Sequence, residues 1–305
     1  MAIANENQIA EVKQPNSESR LAAYVELTKL RISVMVLITF IVAAVVASGS
    51  VLSLPVLFCA TIGMLAIAAS GNAMNMYLER YSDFLMKRTK TRPLPTQRLT
   101  ATEVALFGAI SLGVGAAFLF TGVNWQTGLC GVCNWILYVF IYTPMKRKTS
   151  FNTEVGAIAG AMPVIMGCLA TTQTVNLVGW SLFGVLVFWQ FPHFMAIAWK
   201  YRHDYAAGGL QMLTVVDPSG KKAGRKAIVT AVLTLAVSLL PILVLRTPVH
   251  GIIFAILATV LGGRYLLASI NFNKELNLES ARSLLLSSLV YLPCYMLVLL
   301  IACLT

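Results

Sequence analysis

The chain has 305 residues, of which 58% are hydrophobic and only 11% charged, and its mean hydropathy is +0.77. Soluble domains carry roughly half apolar and about a quarter charged residues, so this chain has too little polar surface to dissolve a fold of its size. These values exclude a soluble globule, a disordered chain, a coiled coil and a secreted disulfide scaffold, and they define an all-α polytopic membrane protein.

Residues 1–28 read as a polar tail, with Glu6, Glu11 and Glu18 but few arginines. That pattern fits neither a cleavable signal peptide nor a transit peptide. Beyond it, a bilayer core asks for about 20 mostly apolar residues per helix and tolerates no open backbone. Residues 29–305 are accordingly read as one domain with nine transmembrane helices. The predicted spans are 32–52, 55–78, 101–121, 124–143, 155–174, 177–199, 227–246, 249–270 and 284–304. The six cysteines lie in or beside these apolar stretches and read as small packing residues. Cys130 and Cys133 form a CxxC, but no second pair or nearby histidine completes a zinc site.

The net charge of +11 would suggest nucleic acid in a soluble protein, but here its distribution carries the meaning. Of the 23 Lys and Arg, 22 fall in or beside alternate loops and only Arg246 lies in the opposite set. By the positive-inside rule, the N-terminus is expected in the cytoplasm and the C-terminus outside, with no nucleic-acid partner.

Two loops on the basic side, 79–100 and 200–226, are far longer than a connection needs, and long loops are commonly the functional ones. Asn75, Glu79 and Asp83 recur at i, i+4 and i+8 where the second span leaves the membrane. On a helix that spacing aligns three oxygen-bearing side chains on one stripe about 12 Å long. Such a set suits Mg²⁺, which keeps waters and takes further ligands from substrate phosphates; the other reading is a solvated helix end. Arg88, Lys90 and Arg92 follow and would neutralise phosphate charge. Near the end of the sixth span, His193, Lys200 and Asp204 are predicted to form a second stripe, with Pro192 expected to kink the helix. A histidine inside an apolar run is either a functional group or a hydrogen-bonded packing residue. Tyr142, with Lys146, Arg147 and Lys148, ends the fourth span on the same side, and those cations serve either the site or topology alone.

These residues bear a family resemblance. The run from Asn75 through Glu79 to Asp83, followed by Met86-Lys-Arg-Thr-Lys-Thr-Arg-Pro-Leu94, resembles the N-x₃-D-x₃-D signature of UbiA-type intramembrane prenyltransferases. Further blocks are similar to the branch that farnesylates protoheme IX: Tyr142-Thr143-Pro-Met-Lys146-Arg147, Gly160-Ala-Met-Pro163, Phe191-Pro-His193-Phe194 and Tyr201-Arg-His-Asp204-Tyr205-Ala with Met212-Leu213 and Val215-Val216. The resemblance runs from about residue 25 to 300, with the blocks in the family's order.

It implies a helix bundle with a central cavity and cytoplasmic cap loops, in the inner membrane of a bacterial cell. It also implies transfer of a farnesyl group from farnesyl diphosphate to a vinyl group of heme b, with water added, giving heme O for terminal oxidases. On that reading Asn75, Glu79, Asp83 and Asp204 are the catalytic, Mg²⁺-holding residues. Arg88, Arg92, Lys146, Arg147 and Lys200 contact diphosphate, and His193 and Tyr142 face heme, His193 as an axial ligand or a propionate contact. Partners would be the lipid bilayer and a heme A synthase or oxidase assembly factors. Three positions depart from the pattern: Glu79 stands where most relatives have Asp, Tyr81 where many have Asp, and Lys200 where quinone-pathway relatives are acidic. A sister enzyme prenylating a quinone or chlorophyll precursor would keep the first stripe but has no need of Phe-Pro-His193-Phe. A transporter or non-enzymatic heme-handling protein would explain the spans and basic loops, but not the Asn/Glu/Asp stripe.

Overall fold

The computed structural model describes residues 20–245 and 247–304. The tail carrying Glu6, Glu11, Lys13 and Glu18, and Arg246 on which the charge split turns, lie outside the described residues. The end of the tail is helical: α1 (Arg20–Thr28) buries Ala23 and Leu27 against Ala73, Met76, Leu99 and Val104. Lys29 separates it from α2 (Leu30–Ser48) by adopting a left-handed conformation, φ 45° and ψ 53°. Such a backbone is uncommon for a non-glycine residue.

The remaining long helices are α3 (Leu54–Leu85), α4 (Ala101–Gly122), α5 (Trp125–Ile136), α6 (Asn152–Thr172) and α7 (Leu177–Lys200). Two short helices, α8 (Arg202–Ala207) and α9 (Leu213–Val216), precede α10 (Lys221–Ser238), α11 (Pro248–Glu275) and α12 (Leu278–Leu304). Among the described residues, nine helical segments are long and apolar enough to cross a membrane. The protein is therefore a multi-pass membrane protein, all-α as the composition demands. Its outward surface agrees: Leu106, Ile110, Ile252, Ile256 and Leu289 are each more than half exposed, as side chains facing lipid must be.

Two expectations about local structure are corrected. The segment read as a loop from residue 79 is helix through Leu85, so α3 has 32 residues. At 1.5 Å per residue it is about 48 Å long, some 18 Å beyond the hydrocarbon core. Nothing between Glu79 and Leu85 breaks a helix; the chain turns only at Met86, whose ψ of 127° is extended. Conversely, the second stripe is not one helix. α7 runs without interruption through Pro192 to Lys200, but Tyr201 (φ −109°, ψ 21°) ends it, and Asp204 sits on the separate α8.

The core divides unevenly. The larger cluster joins α7, α10, α11 and α12 around Leu186, Trp199, Tyr265, Tyr291 and Tyr295. A smaller one, with Phe40, Met64, Leu119 and Met166, joins α2, α3, α4 and α6. The close approach of α6 to α2 depends on Gly167, where a Cβ would collide with the Phe40 carbonyl oxygen. Past Ile136, α5 widens into a π-helical turn, Leu137–Tyr142, before the short helix Thr143–Met145. Pro144 lacks the N–H of a regular helix, and its ring crowds the preceding turn, so the ladder shifts register here. The consequence is positional, because Tyr142, Thr143 and Lys146 are turned toward α3.

Candidate active site

The polar end of α3 builds the site. Asn75 is 2% exposed, Glu79 6% and Asp83 0%, so the predicted stripe is an internal feature rather than a solvated helix end. Each member faces a partner from another part of the chain. The Lys29 ammonium donates to Asn75 Oδ1 at 3.3 Å, and Asn75 Nδ2 donates to Thr143 Oγ1, also at 3.3 Å. Lys146 Nζ lies 2.8 Å from Glu79 Oε1. Arg92 Nη1 reaches both oxygens of Asp83, at 2.8 and 2.7 Å. Burial, the largest single influence, works against the charge on Lys146, but the Glu79 carboxylate with Tyr142 and Tyr138 together outweighs it and lifts the ammonium above its ordinary range.

The two long cap segments meet over this end of the bundle. The Arg88 backbone N–H donates to Asp204 Oδ2 at 3.3 Å, and the Arg88 guanidinium lies over Tyr201 and Tyr205, 4.8 and 5.5 Å from their ring centroids. Met86 packs with Leu210 and Met212 in a small apolar cluster beneath. The Gln211 N–H donates to the Lys146 carbonyl at 2.7 Å, which ties the α8–α9 connection to the end of the fourth span.

Several predicted site residues therefore converge, and others do not. Asn75, Glu79, Asp83, Arg92 and Lys146 form one group, with the three α3 side chains buried and the two cations half-buried. Arg88 and Asp204 belong to the cap above it. Asp204 does not join the α3 carboxylates: among the described residues, no three Asp, Glu, His or Cys side chains gather as a metal-ligand group. The break at Tyr201 carries it onto α8, where the Arg88 N–H takes up its oxygen. Lys200 rests its ammonium over the Tyr201 ring at 5.0 Å, and Arg147 is exposed. Tyr142 groups with the α3 site and not with His193. Its ring lies 4.6 Å from Lys146 Nζ and packs against Gly156, where a Cβ would stand 2.6 Å from the ring.

Sequence reasoning missed Lys29, Thr143 and Ser288. Lys29 was legible only as one more cation of the basic tail; its left-handed backbone turns it inward. Ser288, on α12, is the partner of His193: its Oγ lies 2.8 Å from Nδ1. The same hydroxyl also lies 2.6 Å from the Leu285 carbonyl oxygen. With the hydroxyl proton on that carbonyl the imidazole donates from Nδ1, and with it turned to His193 the imidazole accepts there, so the tautomer follows the Ser288 rotor. In either case Nε2 has no hydrogen-bond partner among the described residues. Trp189 stacks on the imidazole at 5.0 Å, and its indole N–H donates to the Ser288 carbonyl at 2.9 Å. No other described residue hydrogen-bonds the ring.

A buried oxygen-donor stripe, each carboxylate faced by a cation, closes one end of a bundle with nine spans among the described residues. The chain belongs to the UbiA prenyltransferase family, which it matches over residues 36–298. It is 40% identical, over 90% of its length and 97% of the relative's, to a protoheme IX farnesyltransferase of Rhodopirellula baltica. A second relative of that name, from Koribacter versatilis, is 36% identical over 92% of this chain and 93% of its own. Among solved structures, a digeranylgeranylglyceryl phosphate synthase aligns with a TM-score of 0.77 at 18% identity, covering 93% of this chain and 99% of that one. A UbiA homologue from Archaeoglobus fulgidus, bound to GPP and Mg²⁺, aligns at 0.66 with 14% identity, covering 91% and 99%. The protein is a membrane prenyltransferase.

Proposed function

We propose that this prenyltransferase moves the farnesyl group of farnesyl diphosphate onto a vinyl group of heme b, giving heme O for terminal oxidase biogenesis. The observation that carries the chemistry is the group on α3, where Lys29, Lys146 and Arg92 outnumber Glu79 and Asp83. An excess of half-buried positive charge is costly until an anion enters, and a diphosphate is the anion that three converging cations fit. Asn75, Glu79 and Asp83 are hard oxygen donors on one stripe and fit Mg²⁺ arriving with the diphosphate. When bound, the ion would neutralise charge on the departing diphosphate. The chain's own cations do the same work: Lys146 and Arg92 exchange their carboxylates for diphosphate oxygens as the allylic C–O bond breaks. Asp204 holds the Arg88 segment down, which closes the cap and keeps water from the allylic cation. A vinyl carbon then bonds to that cation, and the resulting positive centre takes water and loses a proton, giving a hydroxyethylfarnesyl group.

The names of the relatives support heme as acceptor, and so does His193. An imidazole held by Ser288 and Trp189, with Nε2 free of any partner among the described residues, can coordinate iron through that nitrogen. Of the two roles open from sequence, the unpartnered Nε2 fits both, and a heme titration separates them. His193→Ala is expected to weaken heme binding at least ten-fold, the scale on which a ligand's supporting contacts act, while Mg²⁺-dependent diphosphate binding persists. A heme titration in the Soret band, beside a diphosphate-binding assay, reads both; unchanged heme affinity would return His193 to a packing role.

The experiment for the reaction as a whole is incubation of purified protein with heme b, farnesyl diphosphate and Mg²⁺, with the pigment weighed by mass spectrometry. A heme heavier by one farnesyl group and one hydroxyl group is the expected product; unchanged heme, or a prenylated quinone precursor under parallel conditions, would overturn the reading. The charge split supports a cap on the cytoplasmic side of the membrane. Single cysteines at Thr91 and Ser219, both exposed, in a cysteine-free background should escape an impermeant thiol reagent on intact cells. Labelling from outside would reverse the orientation.

A further inference from the structure

We propose that the membrane-facing groove between α11 and α12 is a binding site for an anionic phospholipid, separate from the diphosphate site. The two helices form an antiparallel hairpin joined over residues 276–277. Their outer groove carries Arg264, Asn271 and Ser283 at and toward the hairpin end, and Leu261, Leu286 and Val290 along the apolar remainder. This sequence of surfaces fits one amphiphile, with a polar head near the tip and acyl chains lying inward.

The depth of Arg264 argues for an anion. The 28 residues of α11 span about 42 Å, against a hydrocarbon core of about 30 Å. Residues 251–263 carry no charge, whereas Asn271, Asn273, Lys274 and Glu275 crowd the other end, as a headgroup region requires. The surplus of roughly eight residues therefore falls at the Glu275 end. Arg264 then lies about one turn inside the hydrocarbon boundary. Its side chain is exposed, and it takes part in none of the ion pairs among the described residues. At the hairpin tip Lys274 and Arg282 offset Glu275 and Glu279, which leaves Arg264 as the uncompensated charge.

A guanidinium at that level is stable only if it reaches polar partners at the interface. An apolar helix from a second copy would cover it and leave it unpaired. A zwitterionic headgroup brings its own ammonium in competition. An anionic phosphate, held by the guanidinium fork with Asn271 and Ser283 as neighbours, satisfies the charge, the groove's polarity and its length together.

The test uses the purified full chain, delipidated and reconstituted with phosphatidylglycerol or phosphatidylcholine, with retained lipid counted by native mass spectrometry. Phosphatidylglycerol should be retained preferentially. Arg264→Gln should lower that retention about five- to ten-fold, as expected for one interfacial cation, while Arg264→Lys keeps most of it. Arg31→Gln, which removes an exposed cation on α2, should change nothing. If Arg264→Gln does not fold, Asn271→Leu provides the same reading through the headgroup neighbour. Equal retention of both lipids, or unaltered retention in Arg264→Gln and Asn271→Leu, would overturn the proposal. So would efficient disulfide dimers through a cysteine at Leu267 in native membranes, since they would make the groove an interface between copies.

Discussion

Replacing Asp83 with alanine is expected to lower heme O formation at least about 10²- to 10³-fold, since losing a carboxylate that would hold the ion neutralising the leaving group is worth several kcal/mol in the transition state. The side chain is wholly buried and held by both its oxygens on Arg92, at 2.8 and 2.7 Å. Its removal takes away a metal-fitting carboxylate and also frees a guanidinium from its fixed geometry. Asp83→Asn separates the two effects. The amide keeps the shape and can still accept from Arg92, but it carries no negative charge. Both variants should be near-inactive, with Asp83→Asn the better folded. The assay is product formation at equal membrane abundance with saturating farnesyl diphosphate and Mg²⁺. Activity of Asp83→Asn within a few-fold of wild type would mean that the carboxylate is structural and that the metal-fitting role belongs elsewhere.

The contrast between what was legible in the sequence and what was not follows from the range of the forces involved. The nine spans were legible because each is a local property: some twenty apolar residues must be helical in lipid. The α3 stripe was legible for the same reason, since i, i+4 and i+8 fix one face once a helix is granted. Its burial was not, because burial depends on α1, on the turn at Met86 and on the π-turn in α5, none of which has a strong local signature. Helix ends were misjudged where no proline or glycine marked them. Glu79 to Leu85 continued as helix, and Tyr201 ended one without warning. Pairings across the chain were the least legible. Lys29 with Asn75, Arg88 with Asp204 and His193 with Ser288 are separated by 46, 116 and 95 positions, and no periodicity reports such distances. A serine at 288 within an apolar helix was the one available hint, because a hydroxyl at that depth must find a partner.

Lys146→Met is expected to impair both stability and turnover, for reasons that can be separated. The ammonium lies 2.8 Å from Glu79, with the two side chains only 14% and 7% exposed, and 4.6 Å from the Tyr142 ring centroid. Removing it leaves a buried carboxylate facing a methyl group, and breaking a buried pair from one side typically costs about 3–5 kcal/mol. Lys29 is nearby but is engaged by Asn75, so it compensates only in part. The variant should therefore melt several degrees lower in detergent and fail to bind diphosphate. Glu79→Gln combined with Lys146→Met removes both charges and should recover most of the lost stability, because no ion is left unpaired. It should not recover turnover, since the double variant lacks a cation for the diphosphate and a carboxylate for the metal. Thermal melting and diphosphate binding on the two proteins decide the point. If the double variant melts like wild type but is also active, the pair holds the fold and the diphosphate is bound by Arg92 and Lys29 alone. If the single variant loses neither stability nor binding, Lys146 is not at the site, and the convergence of the fourth span on α3 has no catalytic meaning.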